Sequence, residues 1–194
     1  KARFLELIHD FIVFDAGVKK LCRPNQYFGV RAAQERVKRR EGGIIWHAQG
    51  SGKSLTMVWL AKWIREHAKD PRVLIITDRK ELDEQIEKVF MGVHEEIYRT
   101  TSGADLIATL NVTTPWLVCS LIHKFGGKEE TEEGGDIPGY IEELKKALPP
   151  GFVAKGNLFI FVDECHRTQS GDFHQAMKRS CRAPCLSASP VPRS

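Results

Sequence analysis

The sequence has 194 residues, no long hydrophobic run and only five cysteines. Its longest apolar stretches, such as residues 158–162, are far shorter than the roughly 20 residues of a membrane-spanning helix. No basic segment followed by an apolar one opens the chain, so the sequence predicts neither a membrane protein nor a secreted one. Among the cysteines only Cys181 and Cys185 lie close together, without the further ligands that would complete a zinc site. We therefore expect reduced thiols in a cytoplasmic protein.

A strong charge of one sign is also absent, because 29 Lys and Arg residues face 25 Asp and Glu residues for a net charge of +4. Basic side chains do gather in one short run, which contains Arg36, Lys38, Arg39 and Arg40. This run is compatible with two interpretations, contact with phosphates or a helix end exposed to solvent. Charge alone therefore predicts no nucleic-acid partner.

Short apolar or β-branched segments alternate with helical patterns along most of the chain. Strands are predicted at 44–47, 73–77, 116–120, 158–162 and 185–188, with a weaker candidate at 96–99. Helices are predicted from residue 25 to about 40 and at 53–69, 81–90, 104–110, 140–147 and 173–180. Continuous apolar strands separated by helices are typical of a parallel sheet that is buried on both faces. The predicted fold is α/β, a doubly wound and mainly parallel sheet with helices on both faces.

Two regions stand apart from this alternation. Residues 1–24 begin with an apolar periodic segment and loosen around 15–17, which predicts a helical lead-in and connector before a main domain at 25–194. Residues 126–139 are acidic, polar and rich in glycine, which predicts an exposed loop. Because the chain starts with Lys1 and ends shortly after its last predicted strand, we expect a fragment of a longer protein.

The most informative segment reads His47-Ala-Gln-Gly-Ser-Gly-Lys-Ser54, between the strand at 44–46 and a helix that starts near Lys53. Glycines let backbone N–H groups point at an anion, and the helix N-terminus adds a partial positive charge. The spacing is that of a phosphate-binding P-loop, although His47 stands where glycine is usual, and a glycine turn that binds nothing is the alternative. Lys53 is predicted to reach the β- and γ-phosphates, and the Ser54 hydroxyl to ligate Mg²⁺. The residues predicted to bind the nucleotide are Gly50, Ser51, Gly52, Lys53 and Ser54.

A second polar cluster, Asp163-Glu-Cys-His166, follows the apolar strand at 158–162. Two adjacent carboxylates at the end of a buried strand are costly unless a cation or hydrogen bonds compensate for their burial. Asp163 is predicted to hold Mg²⁺, and Glu164 to orient and deprotonate an attacking water, with Lys53 as the second catalytic residue. An acidic helix cap is the alternative. If the two motifs converge, the leading chemistry is nucleotide hydrolysis.

The acidic cluster resembles motif II of superfamily 2 helicases and translocases, which implies a first RecA-like, ATP-binding domain. Residues 25–28 resemble the element whose glutamine reads the adenine edge. The resemblance implies that role for Gln26, with Gln34 as a weaker alternative.

Further segments resemble motifs that contact nucleic acid or couple it to the nucleotide site: 75–85, 118–125 and 186–190. The residues implied in backbone contacts are Thr77, Arg79, Ser120 and Lys124, and those implied in coupling are His166, Ser187 and Ser189. Structural alternatives stay open: a capping box at Asp78-x-x-Glu81, a strand end at Ser120, and a β-turn before Pro190.

Within superfamily 2, segments 46–54, 77–85 and 163–171 resemble the restriction (motor) subunit of type I restriction-modification enzymes. His47, unusual in a P-loop, fits this subfamily. The resemblance implies an ATP-dependent double-stranded DNA translocase that uses ATP and Mg²⁺. It also implies that the specificity and methyltransferase subunits of the complex are its partners. The alternatives are an RNA helicase of the same superfamily and a regulatory module that binds nucleotide without hydrolysing it.

Motors of this superfamily complete their active site with arginines from a second RecA-like domain. The present chain stops just after its motif III candidate, and the family's nuclease domain is expected before Lys1. An arginine finger contributes roughly 10³–10⁵ to the rate where it has been measured. We therefore expect this fragment alone to bind nucleotide weakly and to hydrolyse it poorly.

Overall fold

The computed structural model describes residues 2–47, 50–77, 80–121, 152–163 and 185–190. Five helices and eight strands occur in these ranges. In chain order they are α1 (Ala2–Asp10), β1 (Ile12–Asp15), β2 (Val18–Leu21), α2 (Pro24–Lys38), β3 (Gly43–His47), α3 (Lys53–His67), β4 (Pro71–Thr77), α4 (Lys80–Gly92), β5 (Tyr98–Arg99), α5 (Gly103–Leu110), β6 (Leu117–Leu121), β7 (Asn157–Asp163) and β8 (Cys185–Pro190).

Six strands form one sheet in the order β3-β8-β7-β4-β6-β5, and every pairing within it is parallel. Parallel neighbours require crossover connections, which α3, α4 and α5 supply between successive strands. The predicted α/β fold with a doubly wound, mainly parallel sheet is confirmed. All six predicted strands are present, whereas the predicted helices at 140–147 and 173–180 and the loop at 126–139 lie outside the described residues.

The core lies on the central strands and the helices that cover them. Six of the seven residues of β4, and likewise of β7, are buried, as expected for strands covered on both faces. On α3 the side chain of Trp59 is 1% exposed, and its ring lies 6.5 Å from that of Phe11. Phe11 is fully buried, and burial of such a side chain contributes about 1.5–3 kcal/mol. The segment between α1 and β1 is therefore anchored in the core.

The structure differs from the sequence prediction at the start of the chain. The predicted helix is present as α1, but in place of the predicted connector an antiparallel hairpin follows, in which Asp15 pairs with Val18. The turn residues Ala16 and Gly17 have φ angles of 48° and 80°, as the two-residue turns of tight hairpins require. Each strand has only four residues and β2 reads Val-Lys-Lys-Leu, so the alternation that identifies a strand is too short to recognise.

Two further expectations concern cysteines and membranes. Cys22 and Cys119 are free thiols, and Cys119 is buried in β6. Within the described ranges, no helix combines the length and the apolar composition that crossing a bilayer requires.

The parallel sheet brings the carboxyl ends of its strands to one edge. The P-loop follows β3 at this edge, Thr77 ends β4 and Asp163 ends β7, while Ser120 is the penultimate residue of β6. In open α/β sheets, ligands bind outside the carboxyl ends of the strands. The fold thus places most of the predicted site residues along a single edge.

Candidate nucleotide-binding site

The loop between β3 and α3 has the backbone conformation that a phosphate loop needs. Gly50 and Gly52 have φ angles of 75° and 84°, a left-handed region that glycine adopts without steric cost. Gly52 is the N-cap of α3 and, as a glycine, has no side chain that could hydrogen-bond the N–H groups of the first turn. The first turn of α3 also contains no acidic residue, so the positive end of the helix dipole is not neutralised there.

Lys53 and Asp163, which are far apart in sequence, form an ion pair at this loop. The Nζ of Lys53 lies 3.5 Å from Oδ1 of Asp163, and the two side chains are 12% and 2% exposed. Removing two charges from water is costly unless they compensate each other, so this buried pair fixes β7 against the start of α3. The structure therefore brings the P-loop lysine and the first carboxylate of the acidic cluster into contact.

The groups around this pair fit a phosphate and a magnesium ion. Ser51 has a buried hydroxyl without a hydrogen-bond partner among the described residues, and a group of this kind can still donate to an anion. At Gly50, an added Cβ would have no described atom within 4 Å. The hydroxyl of Ser54 and the carboxylate of Asp163 are hard oxygen donors of the type that Mg²⁺ prefers.

Gln26 lies against the loop from the other side. It is 2% exposed at the third position of α2, and its Nε2 donates to the carbonyls of Ser51 at 3.1 Å and Gly52 at 3.0 Å. Its Oε1 accepts a hydrogen bond from the backbone N–H of Arg23 at 2.8 Å. Gln34, the alternative, is 1% exposed, and its Oε1 accepts from Nη1 of Arg31. Gln26 is thus the glutamine at the loop.

The loop, the buried ion pair and the parallel sheet together describe a P-loop domain, and comparison with known families agrees. The sequence profile of SWI2/SNF2 ATPases matches residues 25–187. The chain belongs to the SWI2/SNF2 ATPase family.

Two individual relatives of this chain are both subunits of one kind of enzyme, the type I restriction enzymes. The MjaIXP endonuclease subunit of Methanocaldococcus jannaschii is 31% identical over 192 residues, which cover 93% of this chain and 17% of the relative. The HindI type I restriction enzyme endonuclease subunit of Haemophilus influenzae is 29% identical over 186 residues, which cover 86% of this chain and 16% of the relative. The predicted likeness to type I restriction subunits is confirmed. The chain spans about a sixth of the length of these curated relatives.

A solved structure shows the same fold. A nuclease-deletion mutant of the type ISP restriction-modification enzyme LlaGI, in complex with a DNA substrate mimic, has a TM-score of 0.62 to this chain. The match has 16% sequence identity and covers 90% of this chain and 18% of that chain. The chain is therefore an ATPase-family domain related to subunits of restriction enzymes.

Two of the four residues implied in nucleic-acid contacts, Thr77 and Ser120, lie on neighbouring strands of this SWI2/SNF2 domain. Thr77 is fully buried and Ser120 is 1% exposed, and in the register of β4 and β6 Ser120 lies opposite Ile76. Neither hydroxyl has a hydrogen-bond partner among the residues that the structure describes. Arg79 and Lys124 lie outside those residues, as does Asp78 of the predicted capping box.

Of the residues implied in coupling, the structure describes Ser187 and Ser189. Ser187 and Ser189 belong to β8, which lies between β3 and β7, so this strand connects the P-loop strand to the strand of Asp163. Ser187 lies opposite both Ile44 and Val162. The alternative of a β-turn at 187–189 is wrong, because these residues form part of a strand. The acidic-cluster residues Glu164 and His166 lie outside the described residues.

The basic run at the end of α2 resembles an exposed helix end more than a phosphate site. Arg36 and Arg39 both pair with Glu41, at 3.5 Å and 3.4 Å, and Lys38 pairs with Glu35 at 2.9 Å. These residues precede β3, so they lie at the amino-terminal edge of the sheet, away from the P-loop. Of the two interpretations, the helix end exposed to solvent agrees with the structure.

Sequence reasoning missed one buried charge. Arg72, the second residue of β4, is 1% exposed, and its guanidinium donates to backbone carbonyls at the end of α5 and in the segments before β6 and β7. The acceptors are Thr109, Leu110, Val112, Pro115 and Lys155. Burial lowers the pKa of Arg72 from its usual value. An arginine at the start of a strand whose other residues are apolar was the available signal.

Proposed function

We propose that this domain is the ATP-binding half of an ATP-dependent double-stranded DNA translocase within a type I restriction enzyme. The observation that carries the proposal is the buried pair of Lys53 and Asp163, because it brings together the two motifs that are predicted to form the nucleotide site. The family match supports ATP as the nucleotide, and the restriction-enzyme relatives support the biological setting. In that setting the specificity and methyltransferase subunits are the partners and the cytoplasm is the location.

Each residue at the pocket has a role in this proposal. The backbone N–H groups of the loop and the ammonium of Lys53 hold the phosphates. Ser54 and Asp163 hold Mg²⁺, which, when bound, neutralises charge on the phosphate oxygens. Glu164, the neighbour of Asp163 in sequence, orients and deprotonates the attacking water. His166, Ser187 and Ser189 transmit the state of this pocket to the nucleic-acid side.

Contacts with DNA involve its phosphates rather than its bases. Thr77 and Ser120 present hydroxyl groups at the edge of the sheet, and Arg79 and Lys124 supply positive charge. Phosphate contacts position a protein on DNA without reading its sequence, and they weaken as salt increases. We therefore expect stimulation by duplex DNA of any sequence and a decline of that stimulation with salt.

The test is ATP hydrolysis by the intact polypeptide, assembled with its other subunits, with and without duplex DNA. We expect Lys53→Ala to lower the DNA-stimulated rate by at least about 100-fold, the usual cost of losing one preorganised charge contact. Glu164→Gln should lower it by roughly 10²–10⁴, as loss of a general base does. The matched control is Lys62→Ala, a lysine on the same helix, which should retain the wild-type rate.

The other outcomes separate the competing functions. Stimulation by single-stranded RNA instead of duplex DNA would identify an RNA helicase. Unchanged restriction activity in cells that carry Glu164→Gln would identify a regulatory module that does not hydrolyse nucleotide.

We also propose that the 194-residue chain by itself is a weak ATPase, because arginines of a second RecA-like domain complete the site. Adding such a domain from the same polypeptide should raise turnover by roughly 10³–10⁵, the contribution of an arginine finger. Rapid turnover by the purified 194-residue chain alone would contradict this proposal.

A further inference from the structure

The side chain of Gln26 links two segments of backbone that are distant in sequence. An amide nitrogen has two N–H donors, and those of Nε2 are both used by loop carbonyls, at Ser51 and Gly52. The amide oxygen is used by the N–H of Arg23, at the start of α2. The amide therefore connects the phosphate loop directly to the N-terminus of α2.

The α2 end of this link is rigid. Pro24 opens the helix, where its fixed φ angle is already helical. Tyr27, the next residue after Gln26, packs its ring 4.9 Å from that of the fully buried Phe11. Gln26 itself is 2% exposed, so its side chain has little freedom to turn. The loop is thus tied to a part of the domain that the hydrophobic core holds in place.

The loop end of the link is intrinsically flexible. Gly50 and Gly52 flank Ser51, and glycine loses more conformational entropy on ordering than any other residue. A Cβ at Gly52 would collide with Nε2 of Gln26, which shows how closely the amide approaches the loop. At Gly50 an added Cβ would meet none of the described atoms within 4 Å, so that side of the loop has no such support. Gln26 supplies order where the glycines do not.

We propose that Gln26 is a positioning residue that holds the phosphate loop in its binding conformation before any nucleotide arrives, independently of the base. The inference rests on the proposed function and adds to it. A glutamine that served only to read adenine would have no reason to direct both amide hydrogens at loop carbonyls. Pre-ordering of a loop lowers the entropic cost of binding for any ligand that the loop contacts.

The two possible roles of Gln26, positioning of the loop and recognition of the base, can be separated with a ligand that has phosphates but no base. The intact protein is titrated calorimetrically with Mg²⁺ and either ATP or inorganic tripolyphosphate. Gln26→Met keeps the size of the side chain but removes its hydrogen bonds, and we expect it to weaken both ligands about tenfold, the effect of one or two neutral hydrogen bonds. Gln34→Met is the matched control, since Gln34 is equally buried on the same helix and bonds to Arg31.

The outcomes are distinct. A loss for ATP but not for tripolyphosphate would show that Gln26 only reads the base, and unchanged affinity for both ligands would show that the link is dispensable. Either result overturns the inference. A folded wild-type protein that binds neither ligand would instead overturn the proposed function.

A second measurement needs no ligand, and it tests the inference with another variant in case Gln26→Met does not fold. Gln26→Glu keeps the acceptor for Arg23 but loses the N–H donors to the loop. We expect amide hydrogen exchange at residues 50–54 of the nucleotide-free protein to become about tenfold faster in this variant, while exchange in Gln34→Met stays at the wild-type rate. Wild-type exchange at these residues in Gln26→Glu would contradict the positioning role.

Discussion

At the amino-terminal edge of the sheet, Arg72 is buried among backbone carbonyls that accept its N–H groups, whereas at the carboxyl edge three buried hydroxyls have no partner among the described residues. The guanidinium Nη atoms of Arg72 contact five carbonyls, and only its Nε lacks a described partner. The three hydroxyls belong to Ser51, Thr77 and Ser120. Both edges bury polar groups. Among the described residues, the buried guanidinium at the amino-terminal edge has hydrogen-bond partners for nearly all of its N–H groups, whereas these three hydroxyls at the carboxyl edge have none.

The difference between the edges has a direct energetic meaning. A buried polar group without a partner costs about 1–3 kcal/mol, so folded proteins rarely retain several unless water or a ligand completes them. The hydrogen bonds of Arg72 connect the end of α5 to the residues before β6 and β7. The role of this side chain is therefore structural. The three hydroxyls lie at the same edge of the sheet as the pair of Lys53 and Asp163. We therefore interpret the amino-terminal edge as a structural edge and the carboxyl edge as the candidate binding edge.

The largest expected effect concerns the structural edge. Arg72→Met should lower the free energy of unfolding by about 3 kcal/mol or more, because several buried carbonyls lose their donor at once. Urea denaturation of the intact protein measures this loss. Arg39→Met is the control, since Arg39 and its partner Glu41 are both exposed, and it should cost less than about 1 kcal/mol. Equal losses in the two variants would remove the distinction between the edges.

The next effect concerns the binding edge, and its sign is opposite. Thr77→Val removes a buried hydroxyl that has no described partner, so stability should stay constant or rise by up to about 1 kcal/mol. Thr100→Val is the control, because Thr100 is equally buried but donates to the carbonyl of Cys119 at 3.3 Å, and it should lose about 1 kcal/mol.

The same variants also test the function of the binding edge. Duplex-DNA stimulation of ATP hydrolysis should weaken in Thr77→Val and stay normal in Thr100→Val, if the Thr77 hydroxyl contacts a phosphate. A loss of stability in Thr77→Val as large as in Thr100→Val would mean that Thr77 already has a structural partner.

The smallest effect is a pH dependence at the start of α5. The pKa of Asp105 lies below its ordinary value, chiefly because its carboxylate accepts a hydrogen bond from the backbone N–H of Thr101. A depressed pKa contributes stability that is present above the unfolded-state pKa and is lost as the pH falls through the folded-state pKa. Since the group is well solvated, the contribution is about a few tenths of a kcal/mol.

Comparison of Asp105→Asn with the wild type tests this small effect. Unfolding is measured at neutral pH and at about pH 3, below the ordinary aspartate pKa. The wild type should lose slightly more stability than the variant over this interval. Identical losses would mean that the hydrogen bond from Thr101 does not persist in solution.

Local sequence was sufficient for the strands of the parallel sheet, most helices and the P-loop. The central strands are continuous apolar runs, and the glycine-lysine-serine turn follows β3 directly, so short-range pattern and propensity determine them. The β1–β2 hairpin was not predictable in the same way, since its four-residue strands carry almost no pattern and depend on packing against the domain. Arg72 and Gln26 show the same limit for side chains, because their partners come from loops that the sequence does not order in space.

The sequence by itself thus determined the fold class, the resemblance to restriction-enzyme motors and the residues with the right chemistry. Only the tertiary structure decided that Lys53 meets Asp163, that Gln26 and not Gln34 reaches the loop, and that the basic run lies at the opposite edge. The physical reason is that motifs are encoded by neighbouring residues, whereas a site is assembled from strand ends that only the order and register of the parallel sheet bring together.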